Sequence, residues 1–292
     1  SIMKIRTTLL LVVFSSLFQL GFGQKNNDLF TKRNEIYFNF SVTSKDELKT
    51  ISRQISIDNF RNDTVWAYAN TKQFLKFSNS GYRINILPHP GDGPGVVMRD
   101  QVKMLKGTKT TWNFYPTYEA YETLMNDFQT LYPTLCHLET ITTLPSGRKI
   151  IAAKISDNVS TNEAEPEFLY TSSMHGDETT GYVLMLQLIE YLLQNYGTIQ
   201  EVTDLVNNME IYINPLANPD GTYYGGNSTV SGAIRGNANG VDLNRNYPDP
   251  EDGEHPDGEA WQPETVAFMN YASTHDFMAA ANFHGGIEVV NY

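Results

Sequence analysis

PEFLYTSSMHGDETTGYVLMLQLIEYLLQNYG, residues 166–197, passes from a strand pattern to a long helical one across a polar junction. PEFLYTSSM is a short apolar run of strand type. DETTGYVLMLQLIEYLLQNYG carries apolar residues at helical spacing as far as Gly197, a residue type that ends helices. A strand feeding directly into a helix is the unit from which layered α/β sheets are built. His175 and Glu178 stand three residues apart at that junction, where i and i+3 side chains can converge on one point.

The same alternation continues on both sides. PTYEAYETLMNDFQTLYP has Tyr118, Tyr121, Leu124, Phe128 and Leu131 on one helical face and stops at Pro133. CHLETITTL and KIIAAKIS read as paired strands joined through Gly147, and MEIYINP as a further strand. PETVAFMNYAST reads as a helix and FMAAANFHG as a buried strand. The expected fold class is α/β, a three-layer α/β/α domain around a mixed sheet over residues 106–292. Sites in such sheets gather at strand ends, where His175, Asn214 and His284 fall.

Ahead of it, NEIYFNFSV alternates like a half-buried strand, and SKDELKTISRQI opens with Ser44 and Glu47 at capping-box spacing. DTVWAYA, NTKQFLKFSNSG and YRINILP then read as strand, helix and strand. That is a small α+β domain, which with the turn-rich linker PHPGDGPG occupies residues 24–105. Residues 1–23 carry Lys4 and Arg6 before the apolar TLLLVVFSSLFQLGFG. This is the pattern of a secretory signal peptide, broken by Ser15, Ser16 and Gln19 and short for a spanning helix. The expected location is secreted or periplasmic, with no stable membrane span after cleavage.

Apolar residues at 40% provide for a packed core, and a formal charge of −12 argues against nucleic acid, whose binders need a basic surface. Cys136 is the only cysteine, so no internal disulfide forms. The run DPEDGEHPDGEAWQPE (residues 249–264) reads as a solvated acidic loop, with Ca2+ binding as the second reading.

The chemistry lies in four short stretches. Zinc takes histidine nitrogen and carboxylate oxygen. Of six histidines, only His284 joins His175 at the end of an apolar strand, followed by Gly285 and Gly286. His175 and Glu178 alone are weak evidence, because Asp177 and Glu178 also suit a helix N-terminus. AIRGNANGVDLNRNYPD, however, crowds Arg235, Asp242, Asn244 and Arg245 into eleven residues. An Asn–Arg pair can hold a carboxylate, a further arginine an oxyanion, and Asp242 the second ring N–H of a ligating histidine.

Together HGDE, NPDG, GVDLNRNYP and FHGG, with the lead-in TYEAYETLMNDFQTLYPTLCHLETI, resemble the secreted zinc carboxypeptidases of the A/T and N/E types over about residues 112–292. The resemblance implies one zinc ion on His175, Glu178 and His284. It implies Arg235 at the scissile carbonyl and its oxyanion, Asn244 and Arg245 on the α-carboxylate of a peptide or protein with a free C-terminus, and Asp242 behind His175. The HGDE form is nearer the N/E branch, so Asp177 replaces a substrate-contacting arginine of the other branch. Residues 24–105 resemble, more loosely, the propeptide-like domains of bacterial members. The family's general-base glutamate is expected beyond Tyr292, and Glu288 matches no catalytic residue of the family. Two alternatives stay open: a zinc amidohydrolase acting on acyl amino acids or cell-wall peptides, and a non-catalytic zinc module that captures peptide C-termini.

Overall fold

The computed structural model describes residues 30–93, 95–161, 163–286 and 290. The expected signal segment, residues 1–23, and Glu288 lie outside the described residues.

The first unit contains β1 (Glu35–Ser41), α1 (Glu47–Ile51), β2 (Ser56–Arg61), β3 (Thr64–Asn70), α2 (Thr71–Phe77) and β4 (Asn85–Leu87). They form an antiparallel sheet in the order β2-β3-β1-β4. Alternation in β1 sends Ile36, Phe38 and Phe40 to one face, where they meet Val65, Ala67 and Ala69 of β3 and Phe74 and Phe77 of α2. Asn70 caps α2 through a reciprocal bond with Gln73.

Two expectations change here. β2 is an additional strand, joined to β3 through Asn62 and Asp63 at φ of 49° and 56°. Both values are left-handed, as a two-residue hairpin turn of the primed type requires. The expected box at Ser44 is only half formed. Glu47 accepts from the backbone of Thr43 and Ser44, yet the helix begins at Glu47 behind Asp46, which makes no side-chain cap bond.

The stretch expected as a linker is docked. Gly91 N–H donates to His89 Nδ1 at 3.0 Å, and Gly91 O accepts from Gly232 N–H at 2.8 Å. A short parallel pair, β5 (Met98–Arg99) with β6 (Tyr115–Pro116), leads into the second unit.

That unit comprises α3 (Tyr118–Leu131), β7 (Cys136–Thr143), β8 (Lys149–Ile155), β9 (Glu167–Ser172), α4 (Thr180–Asn195), α5 (Gln200–Val206), β10 (Glu210–Asn214), α6 (Pro219–Thr222), α7 (Pro263–Ser273) and β11 (Phe277–Phe283). The sheet order is β11-β9-β10-β8-β7. β9, β10 and β11 run parallel, and β8 is antiparallel to both β10 and β7, so the sheet is mixed as expected. Ile211 and Ile213 of β10 face Leu186 and Ile189 of α4 and Leu124 and Phe128 of α3 within one core. Tyr212, between them, points to the opposite face, against Tyr271, His275 and Phe277. Helices therefore cover both faces.

β11 is not buried as its apolar sequence predicts. Among the described residues it pairs with β9 alone, and Met278 is 77% exposed. Among the described residues, no helix is long and apolar enough to cross a membrane.

Leu186 is fully buried at the centre of the α3–α4–sheet core. Leu186→Ala is expected to lower the unfolding free energy by about 2–5 kcal/mol in chemical denaturation. A loss below about 1 kcal/mol would contradict that placement.

Candidate metal centre

Register brings the carboxyl ends of the three parallel strands side by side, with Thr171 opposite Asn214 and Ser172 opposite Phe283. The loops that follow carry the chemistry. After β9 the chain reverses through Ser173, held at φ 54°, whose hydroxyl donates to Glu178 O at 3.0 Å. This turn faces His175 and Glu178 inward. Gly176 is required here: a Cβ on it would lie 2.3 Å from the carbonyl carbon of Gly221.

His175 Nδ1 lies 2.9 Å from Glu178 Oε1, His284 Nδ1 lies 2.9 Å from Glu178 Oε2, and the two ring nitrogens are 3.1 Å apart. His175 and Glu178 come from the β9–α4 junction and His284 from the end of β11. His175 is buried, whereas the His284 side chain keeps 34% of its exposure. The other ring nitrogen of His175, Nε2, donates to Asp242 Oδ1 at 2.9 Å. That bond orients the ring so that Nδ1 faces Glu178 and His284.

The sequence-derived ligands thus meet as a group whose donor atoms lie within 4.8 Å of one another. Two imidazole nitrogens and one carboxylate, with a carboxylate behind the first histidine, are the donor set zinc takes in hydrolytic sites. The residues present fit the ion.

Arg235 Nη1 donates to Glu178 Oε1 at 3.0 Å, so the arginine reaches the triad. Asp242 also accepts from Asn244 N–H at 2.9 Å, which starts the 3-10 turn Leu243–Arg245. Asn244 is exposed on that turn and Arg245 is half-buried.

Charge is concentrated with little water. Burial disfavours ionising Glu178, but His175, His284 and Arg235 more than reverse this and hold the carboxyl well below its usual range. Asp242 is likewise opposed by burial and held low by His175 and Arg235. Burial also works against a charged His175, yet Asp242 and Glu178 raise it to about 9. Asp177 goes the other way, raised to about 6 by burial and by Glu35.

Several contacts to these groups come from the first unit and have no signal in the local sequence. Ser56 Oγ donates to Asp242 Oδ2 and accepts from Arg235 Nε, the latter at 2.7 Å. Glu35 accepts from the backbone of Arg235 and of Gly236. Tyr68 donates to Asp177 Oδ2 at 2.8 Å and lies beneath the Arg235 guanidinium at 5.4 Å. The acidic loop is largely exposed, as read from the sequence, and also reaches the first unit: Glu251 pairs with Lys49, Asp252 with Arg53 and Glu259 with Lys72.

Comparison with known proteins identifies the family and the fold. The sequence profile of the zinc carboxypeptidase family (peptidase M14) matches residues 121–292, and the chain belongs to that family. Mouse carboxypeptidase D is 42% identical over 175 residues, which cover 59% of this chain and 12% of that protein. Mouse carboxypeptidase M is 34% identical over 61% of this chain and 40% of its own length. The chain therefore spans well under half of either relative. Carboxypeptidase A of Helicoverpa armigera superposes with a TM-score of 0.60 at 18% identity, covering 87% of this chain and 70% of that one, which shows a shared fold.

If His284 is the third ligand, His284→Ala lowers bound zinc well below one per chain by metal analysis after dialysis. Unchanged stoichiometry would remove it from the site. Gly176→Ala is expected to unfold the junction locally and to weaken zinc binding as well, because backbone, not a flexible side chain, blocks the new Cβ.

Proposed function

We propose that the chain holds the metal and substrate-carboxylate sites of a zinc-dependent exopeptidase that hydrolyses the C-terminal bond of peptides or proteins. The observation that carries this reading is the convergence of His175, Glu178 and His284 with Arg235 only 3.0 Å from the glutamate. Zinc held by these three side chains supplies a Lewis acid and a water acidified enough to attack near neutral pH.

The protein's own groups do the rest. Arg235 donates to the carbonyl oxygen of the scissile bond and to the negative charge that grows on it, a role a buried, fixed cation performs well. Asn244 and Arg245, on the turn that follows Asp242, take the free α-carboxylate, the amide and guanidinium acting together. Asp242 keeps His175 in one tautomer throughout.

Residues 24–105 act in this proposal as a propeptide-like cover. Ser56, Glu35 and Tyr68 occupy the hydrogen-bonding capacity of Arg235, Asp242 and Asp177 that a substrate would meet. The ion pairs along the acidic loop are exposed and each contributes little in water, so they orient the cover more than they fasten it. Export through the leader expected at residues 1–23 belongs to the same proposal.

Zinc-loaded protein is expected to bind a peptide with a free C-terminus about tenfold or more tightly than its C-terminal amide, measured by fluorescence anisotropy. Arg245→Ala should abolish that preference. Equal binding of acid and amide would refute the exopeptidase reading. Cleavage of N-acyl amino acids in preference to peptides would replace it with the amidohydrolase, and binding without release of an amino acid with a capture module. Removal of residues 24–105 is expected to raise activity and peptide affinity. A shortened protein as soluble as the full chain and no more active would refute the cover.

A further inference from the structure

Asn218 stands behind the site as the N-cap of α6, and its side chain is fully buried. Its Oδ1 accepts from Gly221 N–H at 2.8 Å, which starts that short helix. Its Nδ2 donates twice, to the carbonyl of Met174 and to that of Gly236, each at 3.1 Å. Met174 immediately precedes the ligand His175, and Gly236 immediately follows Arg235. One carboxamide therefore joins the loop that carries two metal ligands to the loop that carries the arginine.

Neighbouring bonds lie along the same seam. Thr222 Oγ1 donates to Gly176 O at 2.9 Å, Gly176 N–H to Arg235 O at 3.1 Å and Ile234 N–H to Gly221 O at 3.0 Å. The segments pass too closely for side chains, since a Cβ on Gly221 would lie 2.5 Å from Gly236 O. With side chains excluded, the separation of the two loops is set by hydrogen-bond lengths. Asparagine suits the position because it offers a cap acceptor together with two donors, whereas serine and aspartate offer the acceptor without the pair of donors.

We propose that Asn218 is a positioning residue that sets the distance between the His175–Glu178 pair and Arg235. Its two donors hold Met174 and Gly236 at a common distance from one rigid planar group. A shift of either loop would open the metal pair or withdraw the arginine from the oxygen it is to stabilise. The inference rests on the zinc-site reading of those three residues.

Asn218→Ser separates the two roles of the side chain, since serine is a good N-cap but cannot bridge two carbonyls. Zinc affinity is measured on the full chain by competition with a chromogenic chelator, alongside thermal unfolding of the metal-free protein. The expected result is zinc binding weakened tenfold or more, the size seen when groups that orient ligands are removed. A purely structural amide would instead lower the unfolding midpoint and leave the affinity of the folded protein at the wild-type value, which overturns the proposal.

Hydrogen exchange by mass spectrometry supplies a readout that does not depend on the variant folding. Adding zinc to the wild-type chain is expected to slow exchange across residues 233–242, which include no proposed ligand. No slowing there overturns the coupling of the two loops, and so does full slowing in Asn218→Ser. A wild-type chain that takes up no zinc at all is a different outcome, because it refutes the zinc site itself before Asn218 is tested.

Discussion

Burying Asp242 beside His175 obliges the rest of the site to compensate a carboxylate that water hardly reaches. An isolated buried charge is costly, and it survives only when paired and hydrogen-bonded. Asp242 is compensated by His175 Nε2–H, by the Asn244 backbone, by Ser56 Oγ and by the nearby guanidinium of Arg235. Arg235 in turn needs anions, and it finds Glu178 at 3.0 Å as well. The chain of compensation thus runs from carboxylate to histidine to carboxylate to arginine and closes on itself. Each group that the proposed chemistry uses is also one that another group needs in order to be buried.

This closure explains why the first unit seats where it does. Arg235 and Asp242 present polar atoms that must be satisfied whenever water is kept away. Ser56 serves both with a single hydroxyl, donating to the aspartate and accepting from the arginine. Glu35 satisfies the backbone N–H groups of Arg235 and Gly236 and is itself paired with His89 at 3.0 Å. Such a seam is specific because it is polar and matched donor to acceptor.

The parts of the molecule written locally were legible in the sequence. β9 and α4 follow from the apolar run before His175 and the helical spacing after it. His175 and His284 stand at the ends of apolar strands and Glu178 opens the helical pattern, but the three read as one ligand set only through the resemblance that the other motifs complete. What escaped was either weakly marked or non-local. β2 lies directly behind the α1 pattern and is betrayed only by the Asn62–Asp63 turn. α5 rests on Val202 and Val206, two buried residues one turn apart, too few to stand out as a period. Ser56, Glu35 and Tyr68 carry no local mark, since their partners lie far away in the chain. The ion pairs of the exposed acidic loop escaped for the same reason: the cations that meet its carboxylates belong to another unit.

The three proposed ligands are held unequally by the described structure. Two ligands belong to a junction locked by Ser173, by Gly176 and by the loop of Asn218, and that junction is preorganised. The third, His284, is carried by a strand that pairs on one side only among the described residues and is tied to the junction through Gly285 N–H and Glu178 Oε2 at 3.0 Å. In the zinc-site reading, a cation held by all three would join β11 to that junction, and part of its binding energy would go into ordering the strand.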